Sequence, residues 1–184
     1  LRNSIKVFLL SAAVVLAACS NGNKIKISGE IEGREGNVYL ERVAVDRSMV
    51  IDSMVLGGDG GFSFTTELPL GQSTIYNLRQ GKDFIPLLVE NGENVKVHSG
   101  EDMARSYTVT GSAESTRMKE LRDIMLEGSA KMDEIRKLYY AASDDEEKTD
   151  FAKTYVREYN KAKQRQIEFI VSAPSSLVSL YGLY

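Results

Sequence analysis

The sequence predicts an α+β chain: an N-terminal antiparallel β-sandwich of about eight strands, followed by an α-helical hairpin. Three observations predict it. Apolar residues alternate with a period of two from Lys24 to Gly111. Turn residues interrupt that alternation at short, regular intervals. Near Ser112 the period changes to that of a helix and stays there. Alternation marks a strand with one buried face, because successive side chains point to opposite sides. Many short strands with regular turn signals favour a sandwich or barrel over a parallel sheet.

Ahead of the strands stands a segment of another kind. Arg2 and Lys6 are basic, and Val7 to Val15 is apolar but too short to cross a bilayer as a helix. Leu16-Ala17-Ala18-Cys19 follows. Residues 1–18 read as a signal peptide, and its end resembles a bacterial lipobox. That resemblance implies cleavage before Cys19, a diacylglycerol on the Cys19 sulfur and a lipid-anchored product. Each buried CH₂ contributes ~0.8 kcal/mol, and two or more acyl chains anchor stably where one is marginal. Residues 19–24 then form a polar, lipidated tether. Acidic residues just after the cysteine mark surface-exported lipoproteins; none stands there, so the lipobox resemblance implies a periplasm-facing position in the cell envelope.

The sandwich is expected over residues 25–111. Ile25, Ile27 and Ile31 share one face, with Lys24, Lys26, Ser28, Glu30 and Glu32 on the other. Gly33 to Asn37 turns the chain, and Val38 and Leu40 begin a second strand. Arg47 to Leu56 is apolar on both faces and is expected to be central. The cluster Gly57-Gly58-Asp59-Gly60-Gly61 reads as a turn; it lacks the GK[ST] ending and the helix of a phosphate loop. Phe62 to Thr65, Ile75 to Leu78 and Phe84 to Glu90 resume the alternation. Asn91-Gly92, between Leu87-Leu88-Val89 and Val95-Lys96-Val97, is the strongest hairpin signal in the chain. Tyr107 and Val109 close the series before Gly111, so the strand half is expected to fold by itself.

Residues 112–184 are expected to be helical. Met118, Leu121, Met125, Gly128, Met132, Ile135, Tyr139 and Ala142 recur at spacings of three and four on one long helix. Gly128 weakens its middle and marks a place where another backbone comes close. Ser143 to Glu146 fits a capping box for a second helix, with Ser143 as cap. Its stripe is Phe151, Ala152, Tyr155, Tyr159, Ala162, Phe169 and Ile170. The short link makes the pair an antiparallel hairpin. Pro174 ends it, and Ser175 and Ser176 start a third helix. Tyr139, Tyr140, Tyr155 and Tyr159 fit core packing better than a binding face. Asp144 to Glu147 lacks the spacing and glycine of an EF-hand and reads as a solvated helix start.

Composition removes most chemistry. The formal charge is −3, and −5 once Arg2 and Lys6 are cut away, so a nucleic-acid partner is not expected. One cysteine gives no internal disulfide, no CxxC pair and no Cys-rich zinc site. The single histidine, His98, has no Cys and no Ser at a recognisable elbow to partner it and reads as a surface residue. No catalytic, cofactor-binding or metal-binding residue is therefore assigned, and these residues are not expected to form an enzyme.

Several short motifs together carry a resemblance: Ile27-Ser28-Gly29-Glu30-Ile31-Glu32-Gly33, Val38-Tyr39-Leu40-Glu41, Asp59-Gly60-Gly61-Phe62-Ser63-Phe64, Val89-Glu90-Asn91-Gly92-Glu93 and Val109-Thr110-Gly111-Ser112. Over about residues 24–115 the chain resembles a Bacteroidetes lipoprotein domain of unknown function. That domain lies N-terminal to thioredoxin-like thiol-disulfide oxidoreductase domains of the TlpA/ResA or AhpC/TSA kind. Ala173-Pro174-Ser175-Ser176-Leu177-Val178-Ser179 resembles the linker region of the same proteins. The resemblance implies a non-catalytic accessory domain, with a CxxC domain expected beyond Tyr184 and the present sequence a fragment. Its implied partners are a membrane through lipid on Cys19 and a C-terminal thioredoxin-like domain or protein partner, with homo-oligomerisation as a further option. The alternative is a stand-alone envelope lipoprotein that binds a peptide or glycan.

Overall fold

The computed structural model describes residues 23–44 and 46–183. The lipobox and Cys19 lie outside the described residues. Eight strands run in chain order: β1 (Lys24–Ile31), β2 (Asn37–Val43), β3 (Ser48–Val55), β4 (Gly61–Glu67), β5 (Ser73–Gln80), β6 (Asp83–Glu90), β7 (Asn94–Ser99) and β8 (Tyr107–Thr110). Helices α1 (Ala113–Ala141), α2 (Asp145–Ser172) and α3 (Leu177–Tyr181) follow. The strands form two four-stranded sheets, ordered β4-β1-β7-β8 and β3-β2-β5-β6. The fold is the expected sandwich followed by a helical hairpin.

Alternation builds the core. Ile25, Ile27 and Ile31 of β1 face Val38 and Leu40 of β2, Tyr76 and Leu78 of β5, and Ile85, Leu87 and Val89 of β6, all essentially buried. Each strand pair is antiparallel except one. β1 and β7 run parallel, with Glu30 opposite His98. A parallel pair needs a long crossover, and here the crossover is everything between β1 and β7.

Two expectations about the strands are corrected. Asn91-Gly92 does not close a hairpin. β6 pairs with β5, whereas β7 pairs with β1 and β8, so this turn carries the chain from one sheet to the other. Asn91 is spent on a different contact: its side-chain amide donates to the Leu68 carbonyl of the neighbouring turn. Gly92 still supplies a positive φ of 82°. The strand at Arg47–Leu56 is not central either. β3 is an edge strand, with Val50 and Val55 54% and 66% exposed. Leu40 pairs with Asp52 but Glu41 with Val50, which leaves Ile51 as the extra residue of a bulge. A bulge re-aims side chains and spoils an edge for further pairing; that is why both faces read as apolar in the sequence.

The turn at Gly57–Gly61 forms as expected. Gly60 has φ 76°, and a Cβ there would lie 2.2 Å from the Ile31 carbonyl oxygen. Asp59 Oδ1 accepts from the Gly61 N–H at 2.9 Å, which holds the turn shut.

The helices do not stand apart from the sandwich. Ser112 caps α1 by accepting from the Ser115 N–H at 3.1 Å. Both serine hydroxyls then donate to the Leu88 carbonyl on edge strand β6, at 3.1 and 2.8 Å. One turn on, Met118 and Leu121 pack on Leu88, with Val178, Ile75 and Phe169 around them. Arg122 reaches the Ala104 carbonyl and lies over the Phe84 ring, and Lys119 lies over Tyr107 of β8. Helix α1 thus covers the outward side of β6 and the flank at β8, and the expected break at Gly111 is bridged by packing.

Helix α2 starts one residue later than the capping-box reading placed it. Asp144, not Ser143, is the cap: its carboxylate accepts from the Glu147 N–H at 2.8 Å, and Glu147 reaches back to the Ser143 N–H. A carboxylate at this place also favours the helix N-terminus electrostatically.

Candidate interaction surface

Three serines and one glutamate lock the base of the hairpin. Ser176 caps α3 by accepting from the Val178 N–H and donates its hydroxyl to Glu114 of α1 at 2.7 Å. Ser179, buried, donates to carbonyls at Ile170 and Ala173 at the end of α2. Arg117 of α1 donates to the Phe169 carbonyl and to Ser172 and stacks over the Phe169 ring, 4.1 Å from its centroid. The stretch Ala173–Ser179 is therefore a clamp between α1, α2 and α3 rather than a free link.

Farther from the sandwich the two long helices hold each other alone. Gly128 lets them approach: a Cβ there would lie 3.0 Å from the Ala162 Cβ. The close approach expected at Gly128 is present. Glu127 and Arg165 bridge the helices beside it at 2.9 Å. Their mutual hydrogen bond holds the Glu127 carboxyl below, and the Arg165 guanidinium above, its ordinary value. Both side chains are about half exposed or more, so this ion pair adds little stability.

Two helices bury only a narrow seam. Of the α1 stripe, Met118, Leu121, Met132 and Ile135 are buried, but Met125 is 48% exposed. No residue of α2 is buried. The tyrosines expected in the core lie outside it: Tyr139, Tyr140, Tyr155 and Tyr159 are all exposed. The physical reason is that, among the described residues, no third layer covers the outer half of the hairpin.

What results is a track of exposed apolar surface. A cavity of about 270 Å³ at the base is lined by Pro86, Met118, Leu121, Met125, Leu126 and Tyr181, together with Arg122 and Ser129. A second, more open groove of about 430 Å³ lies beside it along the hairpin, lined by Met125, Met132, Tyr155 and Tyr159 together with the polar Arg136, Lys163 and Gln166. Met125 and Ser129 line both, so the two adjoin. Aromatic and Met side chains beside a few polar groups are the usual makings of a protein-docking surface.

The other residues singled out in the sequence fall elsewhere. His98 is half exposed on β7, as expected of a surface residue. Asp145, Glu146 and Glu147 form the exposed first turn of α2. Among the described residues one group of potential metal-ligating side chains converges, namely Glu30, Glu32 and His98. Sequence reasoning missed it because nothing in the spacing signals that β1 and β7 are neighbours. No helix of the described residues is long and apolar enough to cross a membrane.

Two four-stranded sheets packed as a sandwich, with a helix docked on the β6 side and a helical hairpin after it, define an α+β module with an N-terminal β-sandwich. The chain belongs to the family described as Domain of unknown function (DUF4369), whose model matches residues 25–118, just over half of the chain. The match runs from the first core residue of β1 to Met118, which packs on Leu88. No curated protein and no solved structure matches the chain.

Proposed function

We propose that the chain is a membrane-anchored envelope lipoprotein whose sandwich and hairpin form a non-catalytic accessory domain of a thiol-disulfide oxidoreductase. The observation that carries the docking role is the apolar track from Tyr181 through Met125 to Tyr159. It is built on a clamped hairpin base, and a rigid base suits a surface that must position another domain. The Bacteroidetes lipoprotein family that the motifs resemble supports the redox association, with a thioredoxin-like domain as the body to be positioned. The lipobox-like Leu16-Ala17-Ala18-Cys19 supports the anchor.

Two experiments test the two halves of this reading. Membrane fractionation of cells making the wild type and Cys19→Ser should move the protein from the membrane to the soluble fraction. Membrane retention of Cys19→Ser would remove the lipid anchor. Reading the gene beyond the codon for Tyr184 should reveal a CxxC within the next ~100 residues, one domain length. A stop codon there would favour the second reading, a stand-alone lipoprotein that binds a peptide or glycan. That reading has its own support in the open outer face of the β4-β1-β7-β8 sheet, where Ser28, Glu30, Lys96, His98, Thr108 and Thr110 line a shallow groove of about 430 Å³.

A further inference from the structure

We propose that Glu30, Glu32 and His98 form a surface site for one zinc ion on the outer face of the β4-β1-β7-β8 sheet. This site lies away from the docking track and does not depend on it.

The fold brings the three together across the only parallel strand pair among the described residues. Glu30 and His98 are direct partners between β1 and β7. The ladder runs on past the strand end, where the Glu32 N–H donates to the Ser99 carbonyl at 2.8 Å and fixes the Glu32 backbone. Residues two apart on a strand share a face, so Glu30 and Glu32 both stand beside the imidazole. His98 Nδ1 lies 2.6 Å from Glu30 Oε1, and Nε2 lies 3.6 Å from Glu32 Oε1. One potential ligand atom from each residue falls within 4.8 Å of the others.

The backbone beneath is fixed by a residue with no side chain. A Cβ on Gly29 would lie 1.6 Å from the Val97 carbonyl oxygen, so only glycine lets β1 and β7 approach as they do. In the same row across the sheet Glu30 has Gly61 on its other side, and His98 has Thr108. Neither neighbour brings a positive charge. Among the described residues His98 is the one side chain whose nitrogens come within 4.0 Å of the Glu30 and Glu32 carboxylates. Lys96 shares the face yet pairs with neither of them.

The donor set selects the metal. One imidazole nitrogen with two carboxylate oxygens suits zinc, whereas calcium and magnesium prefer oxygen ligands alone. Zinc bonds of about 2.0–2.2 Å place tetrahedral ligand atoms about 3.4 Å apart. Glu30 and Glu32 meet opposite ring nitrogens, so one zinc on one nitrogen requires the other carboxylate to swing round to that side; the three side chains are 48–60% exposed, which leaves room for that rotation without repacking the core. Water takes the fourth position of such a site.

His98 is the only histidine, so its imidazole C–H protons give an unambiguous NMR report. The test titrates zinc chloride into the full chain carrying Cys19→Ser, which removes the only competing thiol. One equivalent should bind calorimetrically and shift the His98 signals. His98→Ala should weaken binding about a hundredfold, and Glu30→Gln and Glu32→Gln each by about tenfold or more, the range that even loss of an outer-shell partner spans. Thermal melts without zinc should be unchanged, because all three residues are exposed. An unshifted His98 signal in the wild type at millimolar zinc overturns the site with no variant needed. A shift that survives both glutamine substitutions at full affinity overturns it too, since zinc would then be held by the histidine alone.

Discussion

Ser115 donates its hydroxyl to the Leu88 carbonyl at 2.8 Å, tying helix α1 to edge strand β6 across 27 residues of chain. Ser112 makes the same bond, and Met118 and Leu121 close over Leu88 and Ile75. The strands and the first turns of α1 therefore form one cooperative unit. A chain ending at residue 113 leaves Leu88 and Ile75 without that cover. Burying a Leu or Met side chain contributes about 1.5–3 kcal/mol, so losing two lowers stability by about 3–6 kcal/mol. Urea unfolding of 23–113 should show a lower midpoint and a broader transition than 23–183. Equal midpoints would mean that the sandwich is complete at Gly111.

Gly128 sets the distance between α1 and α2. Alanine there gains up to ~1 kcal/mol of helix propensity but meets the Ala162 Cβ at 3.0 Å, so Gly128→Ala should be close to neutral. Gly128→Leu cannot be absorbed in that way and should cost about 1–3 kcal/mol as the helices splay. Ala162→Gly in the same chain should recover part of that loss. A double-mutant cycle reads the coupling directly, and strict additivity would place the close approach elsewhere.

The alternation of Ile25, Ile27 and Ile31 and the stripe from Met118 to Ile135 made sheet and helix legible, because burial on one face leaves its period in the sequence. What the period does not carry is which strand lies beside which. Asn91-Gly92 has the local chemistry of a hairpin, yet the tertiary fold uses it to change sheets. The bulge at Ile51 mixes the two faces of β3 and makes an edge strand read as a central one. Glu30 and His98 stand far apart in the chain, and only the parallel β1–β7 ladder joins them. The tyrosines of the hairpin have helical spacing, but spacing marks a stripe and cannot say whether anything covers it.

That last point is measurable. Ile135 is 3% exposed in the seam between α1 and α2, whereas Tyr159 is 51% exposed on the open side. Ile135→Ala should cost about 2–5 kcal/mol through lost burial and the cavity left behind. Tyr159→Ala should change stability by no more than about 0.5 kcal/mol. Denaturant unfolding of both variants decides between an exposed face and a packed one. A loss of about 2 kcal/mol or more for Tyr159→Ala would mean that the tyrosine is covered in solution, as a self-associated hairpin requires; its dependence on protein concentration would then identify the cover.

Tyr107 gives an alkaline signature to the same unit. Tyr107 is 3% exposed at the start of β8, and its hydroxyl has no hydrogen-bond partner among the described residues. Burial is the main cause that pushes its ionisation well above the ordinary value of 10.0; nearby Arg122 opposes the shift, and Asp123 and Tyr181 add to it. Tyr76 shifts the same way through burial, opposed by Arg42. Both groups are protonated in the folded and unfolded chain below about pH 10, so their contribution to stability is fully present there. Above that pH the unfolded chain releases the protons while the folded chain keeps them, and stability falls as pH rises, by up to about 1.4 kcal/mol per pH unit for each group. Tyr107→Phe removes one of the two groups, so its stability should fall less steeply than the wild type's in urea titrations above about pH 10. At neutral pH the same change removes an unpaired buried hydroxyl and should be neutral or stabilising by up to about 1 kcal/mol. A loss of more than about 1 kcal/mol at neutral pH would show that the hydroxyl is hydrogen-bonded in solution, and an unchanged alkaline slope would show that Tyr107 ionises as easily folded as unfolded.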